Sequence, residues 1–384
     1  MSNDVIELNA KAPNLKPPIM EVGFNYAWAF DRYGTWIGPD GPIGHSGSAT
    51  PTWRDTAKDP PAGTLARNLK ILRDDLNIKK VRMFILGNAW NYGAYPTLTG
   101  RLKVYKSDFT APASPDPLFL SHFRHLLEVF RDAEMQVLPS LIDFGAFYPR
   151  SNGPGDGGGG RTSILTTQRK TFLDTMLKPM LAESKKFAGI VYAWEAVNEP
   201  IWPTNSVFRP HTPTTTADTD KATMADFLKD CLKMIEGEGF PSTVGHRYLS
   251  DLDKFPTGTL PQFHYYGDTR PLTDDPNPIP TFASLSGSAR NAFVGEISPC
   301  PEDPGYLWPE CKAKQDDIPS DAAYVRLRLL AFKGYKLVFI WPDIKDPGND
   351  GLKLSANARM SIRSFTKDKF PNGVPDTPFK PIFL

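Results

Sequence analysis

The chain carries 44 Lys and Arg against 43 Asp and Glu over 384 residues, a formal charge of +1, so no field of either sign favours nucleic acid or anionic lipid as the main partner. Hydrophobic residues make up 40%, enough for a large core, yet no apolar run approaches the roughly 18–20 residues of a membrane span. Three cysteines are too few for a disulfide scaffold, and the length suits one large α/β barrel as well as two ordinary domains.

In chain order, residues 1–19 form a non-regular segment without a basic start and apolar stretch, so no secretory leader is expected and the chain reads as cytoplasmic; a secreted protein whose leader has been removed is the alternative. The first expected strand is 20–27 (MEVGFNYA), followed by a long loop, 28–63, and a helix in "TLARNLKILRDDLN". The second strand, 79–86 (KKVRMFIL), leads through the loop 87–115 to "PLFLSHFRHLLEVFRDAE", where apolar residues recur at three and four. The third, 135–143, opens into 144–161, whose "SNGPGDGGGGR" lacks a following Gly-Lys-Ser/Thr and reads as a flexible rim, not a phosphate cradle.

A helix in "TTQRKTFLDTMLKPMLAESKKF" precedes the fourth strand, 188–195, the loop 200–218 and the helix "ATMADFLKDCLKMIEGEG". Strands five to seven are expected at 246–252, 261–266 and 292–297, with poorly marked helices after five and six. The loop 298–316, the helix "SDAAYVRLRLLAFKGY", the strand 336–341 and an extended Pro-rich tail, 366–384, complete the chain. Eight strands alternating with helices predict parallel pairing and a (β/α)8 TIM barrel, one catalytic domain over 1–384. An open doubly wound sheet would want a Gly-x-Gly-x-x-Gly turn after the first strand, which is missing.

The long connections follow strands, where barrel enzymes build their sites. Seven of eight tryptophans (Trp28, Trp36, Trp53, Trp90, Trp202, Trp308 and Trp341) fall in those loops or at strand ends that open into them, a clustering that suits stacking on sugar rings. Cys300 and Cys311 flank a Pro-rich loop that a disulfide would clip in an oxidising compartment, and spacing alone leaves the pairing open. His122 and His125 have no third ligand placed with them, and Asp343, Asp346 and Asp350 depart from a Ca²⁺ loop, so neither metal nor cofactor is expected.

Two carboxylates close apolar strands: Glu199 in "VNEP" and Glu296 in "FVGEIS". Strands four and seven face each other across an eight-stranded barrel, and two carboxyls about 5–5.5 Å apart across a sugar are what retaining glycoside hydrolysis requires. Glu195, four residues before Glu199 and about 13 Å away along a regular strand, reads as a structural carboxylate lower in the barrel.

"WEAVNEP" (194–200) resembles the strand-four acid/base motif of the clan A glycoside hydrolases, family 5 most of all. That resemblance implies Glu199 as acid/base and Glu296 as nucleophile. It also makes Arg82 the strand-two arginine that holds the nucleophile, His264 and Tyr266 the strand-six pair, and Trp341 the tryptophan under the cleaved sugar. Asn198 would donate to the sugar 2-hydroxyl, and Trp28, Trp90 and Trp202 would line the substrate cleft. An ionised Glu296 would raise the pKa of Glu199. The chain departs from the family in offering Asp143 and Phe144 where a histidine is common near the end of strand three. The expected activity is retaining, endo-acting hydrolysis of a β-linked glucan or mannan, with an oligosaccharide or polysaccharide as partner and the oligomeric state open. The alternatives are an exo-acting or glycoside-specific β-glycosidase, or a carbohydrate-binding barrel without catalysis.

Overall fold

The computed structural model describes residues 20–26, 65–86, 117–147, 162–204, 219–265, 279–297, 322–341, 352, 354 and 356–367. Eight parallel strands close into a barrel in sequence order. They are β1 (Glu21–Asn25), β2 (Lys80–Phe84), β3 (Gln136–Asp143), β4 (Trp194–Asn198), β5 (Ser242–His246), β6 (Gln262–His264), β7 (Phe293–Ile297) and β8 (Leu337–Ile340). Closure is made by β1 on β8, with Glu21 opposite Leu337 and Phe24 opposite Ile340. Around the barrel run α1 (Leu65–Lys70), α2 (Pro117–Asp132), α3 (Arg169–Phe172), α4 (Lys178–Ser184), α5 (Lys221–Gly237), α6 (Ala322–Phe332) and α7 (Ala356–Lys367). None of the described helices is long and apolar enough to cross a membrane.

The helices form where apolar spacing gives one face something to bury. In α5 the buried side chains Met224, Phe227, Leu228, Cys231, Leu232 and Ile235 fall on a single stripe. Its start is fixed by Asp220, whose side chain accepts from the Thr223 N–H at 2.8 Å and so satisfies one of the first-turn donors. Gly239, at φ +87°, takes the left-handed turn that lets the chain leave the helix. In α1 and the π-helical turn that prolongs it, Ile71–Asp75, Leu65, Leu69, Leu72 and Leu76 pack in the same way.

The barrel interior is layered. At its floor Leu138, Ala193, Phe293, Leu337 and Phe339 form an apolar plug, and Gly23 admits the Phe339 ring, which a β-carbon there would meet at 2.5 Å. Above lie the buried polar side chains Asn25, Arg82, Ser140, Glu195 and Gln262. Toward the C-terminal mouth are Asp143, Asn198, Glu199, His264 and Glu296.

Strict alternation does not generate that arrangement. Glu195 and Asn198 both face inward although they are three apart, because the register of β4 shifts between them. In β7, Phe293 and Gly295 face the interior and Glu296 does so as well, where the register of both its neighbours shifts. Glu199 turns inward one residue past β4 with φ +48°.

Several expectations change. The fourth strand is Trp194–Asn198, not 188–195, because Gly189 at φ +85° breaks the extended run and only Val191 bridges to Val137 before it. The fifth is Ser242–His246, not 246–252; from Arg247 the chain leaves the barrel into a 3-10 turn, Leu249–Asp251. Between β5 and β7 the described residues hold short 3-10 turns and no α-helix, which accounts for the weak periodicity there. Helix α7 was unanticipated: Ala358, Ser361, Ile362 and the partly buried Phe365 face the core at helical spacing, but two of the four are small or polar, which masks the stripe in the sequence. It includes Thr366 and Lys367, assigned from sequence to the tail, and Thr366 Oγ1 donates to the Leu76 carbonyl at 2.6 Å.

Candidate active site

Arg82 is the hub. Fully buried on β2, it donates through Nε and Nη2 to both oxygens of Glu195 at 2.6 and 2.7 Å, through Nη2 to Asn198 Oδ1 at 2.7 Å, and through Nη1 to Asn25 Oδ1 and Glu296 Oε1 at 2.8 and 2.7 Å. Burial works against its charge, but Glu195 and Glu296 outweigh that and raise its pKa. Glu195 is satisfied further by Ser140 Oγ at 2.6 Å and Gln262 Nε2 at 2.7 Å. It is a buried carboxylate below the mouth that balances the guanidinium, as its spacing suggested.

Glu199 and Glu296 meet through His264. The His264 Nδ1 lies 2.7 Å from Glu199 Oε1 and 3.3 Å from Glu296 Oε2. One ligand atom from each of the three residues falls within 4.8 Å of the others. Among the described residues these atoms are the group that could hold a metal ion, but the guanidinium 2.7 Å from Glu296 already supplies a cation there.

The left-handed backbone of Glu199 costs about 1–2 kcal/mol for a side chain with a β-carbon. It is held by its N–H on the Gly245 carbonyl at 2.6 Å and by its carbonyl, which accepts from the Trp202 N–H at 3.1 Å. The second carboxylate oxygen accepts from Trp202 Nε1 at 2.5 Å. Burial raises the Glu199 pKa, but the His264 hydrogen bond and charge, the Arg247 charge and the Trp202 donor together bring it below its ordinary value. The expectation of a raised value is thereby corrected for the free site: cationic and donor groups next to Glu199 outweigh its burial.

Asp143, at the end of β3, accepts from Asn198 Nδ2 at 2.9 Å and is pushed up to about 7, chiefly by burial and further by the Glu199 charge. Asn198 is thus clamped between Asp143 and Arg82. Trp341 is buried at the end of β8 with its ring 6.2 Å from that of Phe84. Trp202 is half-buried; the Arg247 guanidinium lies 3.8 Å from its ring centroid and Phe144 packs tilted against it at 5.8 Å, so the face under Arg247 is closed to a sugar. Trp28, Trp90 and Tyr266 lie outside the described residues, as do Trp36, Trp53 and Trp308, the Cys300–Cys311 loop and the acidic residues at 343–350.

The structure therefore brings together Arg82, Asn198, Glu199, His264 and Glu296, with Trp202 bonded to Glu199. It adds Asn25, Ser140, Gln262, Asp143 and Arg247. Of these, Arg247 was hidden by placing strand five too late: with β5 ending at His246, it becomes the first residue past a strand end, the position where site residues are sought.

No family model matches the sequence, and no curated protein matches it. Solved structures do resemble it in fold. A β-1,4-mannanase from the sea hare Aplysia kurodai superposes with a TM-score of 0.55 at 14% identity, over 92% of this chain and 94% of that one. An endo-1,4-β-mannanase from Eisenia fetida gives 0.54 at 15%, over 90% of each chain. A glycoside hydrolase family 5 enzyme from Prevotella bryantii, solved with a xyloglucan tetradecasaccharide, gives 0.51 at 12%, over 92% and 96%. The chain thus shares its (β/α)8 barrel fold with these enzymes, as the strand pattern of the sequence led one to expect.

Proposed function

We propose that the chain is a retaining β-glycoside hydrolase that cleaves within a β-linked glucan or mannan, with Glu296 as nucleophile and Glu199 as acid/base. The observation that carries this reading is the pair of buried carboxylates at the barrel mouth, with oxygens within 4.8 Å of each other and His264 bridging them. That proximity of one oxygen from each group supports the roughly 5–5.5 Å carboxyl separation of double displacement over the wider one of inverting hydrolysis. The fold shared with the mannanases and the family 5 enzyme named above supports the same reaction class and an endo action.

In this reading Glu296 attacks the anomeric carbon while Arg82 steadies its Oε1 and keeps it ionised. Glu199 gives its proton to the departing oxygen, then takes one from the water that releases the sugar. The first step needs Glu199 protonated, and a sugar covering the cleft adds the desolvation that raises it toward that form. Asn198, with one Nδ2 hydrogen on Asp143, keeps the other for the sugar 2-hydroxyl, a contact that strengthens as positive charge develops at the anomeric carbon.

The test is Glu296→Gly on aryl β-cellobioside and β-mannobioside, with and without azide. Activity lost by about 10⁴-fold or more and recovered as a glycosyl azide of inverted configuration supports the assignment. A variant that turns over like the wild type refutes it. Wild-type cleavage that is no faster on a hexasaccharide than on a disaccharide would overturn the endo action alone.

A further inference from the structure

Resting on that reading, we propose that Arg247 is a positioning residue for the acid/base: through Trp202 it holds the Glu199 carboxyl in place, and its charge sets the pH range over which that carboxyl works as an acid. Arg247 follows β5 directly and is buried at the mouth, with 8% of its surface exposed. Its guanidinium lies 3.8 Å from the Trp202 ring centroid and 4.8 Å from that of Tyr248, within the range where a cation and an aromatic face attract. The indole it covers donates to Glu199 Oε2 at 2.5 Å. Arginine, indole and carboxyl thus form one chain of contacts from the end of β5 to the turn after β4.

The backbone at both ends of that chain is fixed. Glu199 N–H bonds the Gly245 carbonyl, two residues before Arg247. Past Arg247, Tyr248 N–H donates to Asp251 Oδ2 at 3.2 Å and its carbonyl accepts from the Asp251 N–H at 3.0 Å. Glu199, in a left-handed conformation that a glutamate adopts only when held, needs such bracing, and each of its two oxygens has one donor, His264 or Trp202.

Among the described residues the charged and titratable groups around Glu199 are His264 from β6, Glu296 from β7 with Arg82 of β2 behind it, Asp143 from the end of β3, and Arg247. Arg82 is committed to Glu195 and Glu296, so Arg247 is the guanidinium that acts on Glu199. Removing its charge leaves Glu199 facing two carboxyls and one histidine. The acid then holds its proton to higher pH, and the alkaline limb of the activity profile moves upward.

The experiment uses Arg247→Met, which keeps the stem and drops the charge, and Arg247→Lys, which keeps charge and loses the planar stack. Each is assayed on a dinitrophenyl glycoside, which departs without protonation, and on an unactivated oligosaccharide, which does not. For Arg247→Met the alkaline limb shifts up by about one pH unit. kcat/KM on the oligosaccharide falls about tenfold, while dinitrophenyl turnover stays within about twofold at the glycosylation step. Arg247→Lys returns the limb to the wild-type position without recovering the full rate. An unmoved limb, or equal loss on both substrates, overturns the proposal, the second outcome indicating a structural role. A wild-type protein that cleaves neither substrate overturns the enzymatic reading itself and this proposal with it.

Discussion

Around Glu199 the decisive quantity is the balance of charge within a few ångströms. Burial pushes its carboxyl toward the protonated form, His264 and Arg247 draw it toward the ionised form, and the repulsion between Glu199 and Asp143 favours a proton on either. Asp143 is an acid whose folded value, about 7, lies above the ordinary 3.8, so the folded state binds the extra proton between those pH values. Its contribution to stability is present below about 3.8 and is lost as pH rises toward 7. Asp143→Asn keeps an acceptor for Asn198 and removes the titration. The variant therefore gains stability relative to wild type as pH rises from 5 to 8, readable in urea midpoints. It also shifts the alkaline limb of activity downward, opposite to Arg247→Met, because Glu199 loses a neighbouring negative charge. Wild-type and variant midpoints that run parallel across that range would show that Asp143 does not titrate there.

The strand is the scale at which the sequence stops being sufficient. The apolar runs and the carboxylates that end them are visible in "WEAVNEP" and "FVGEIS", and the alternation of strands with amphipathic helices is legible along most of the chain. The register shifts in β4 and β7 that turn Asn198 and Glu296 inward leave no mark in composition, because any residue can occupy a bulge. Without them, counting by twos from Phe293 sends Glu296 outward. The glycines beside the shifts are the nearest thing to a signal. A β-carbon on Gly295 would meet Gln262 Nε2 at 2.4 Å and Cγ at 2.6 Å, so Gln262 keeps its place only while position 295 is bare. Gly295→Ala should cost about 1–3 kcal/mol by overpacking. Because Gln262 also holds Glu195, the loss reaches Arg82 and Glu296, the proposed nucleophile; kcat falls more than a stability change alone would cause. Thermal melting and kcat measured on the same preparations check both parts, and unchanged kcat in a destabilised variant would separate Gly295 from the site.

At the scale of the whole molecule, the barrel puts a polar layer on an apolar plug and surrounds both with helices, so its titratable groups answer to burial more than to net charge. His246, at the end of β5, is the clearest case outside the proposed active site. It is buried, its ring stacks 6.4 Å from that of Phe255, and desolvation, then the nearby His264, push it down to about 3 from an ordinary 6.5. A histidine depressed in the folded state takes up a proton more readily when unfolded. Its share of stability is therefore complete above about 6.5 and is lost as pH falls toward 3. Each unit between the two values is worth about 1.4 kcal/mol, so roughly 3 kcal/mol disappears between pH 6.5 and 4. The exposed carboxylates also weaken the fold in acid, but they are shared by a His246→Phe variant that keeps the ring stack and cannot titrate. The difference between the two proteins isolates His246: the variant's unfolding free energy should fall less steeply with acid. Denaturant curves with equal slopes against pH would mean that the histidine charges without unfolding the barrel around it.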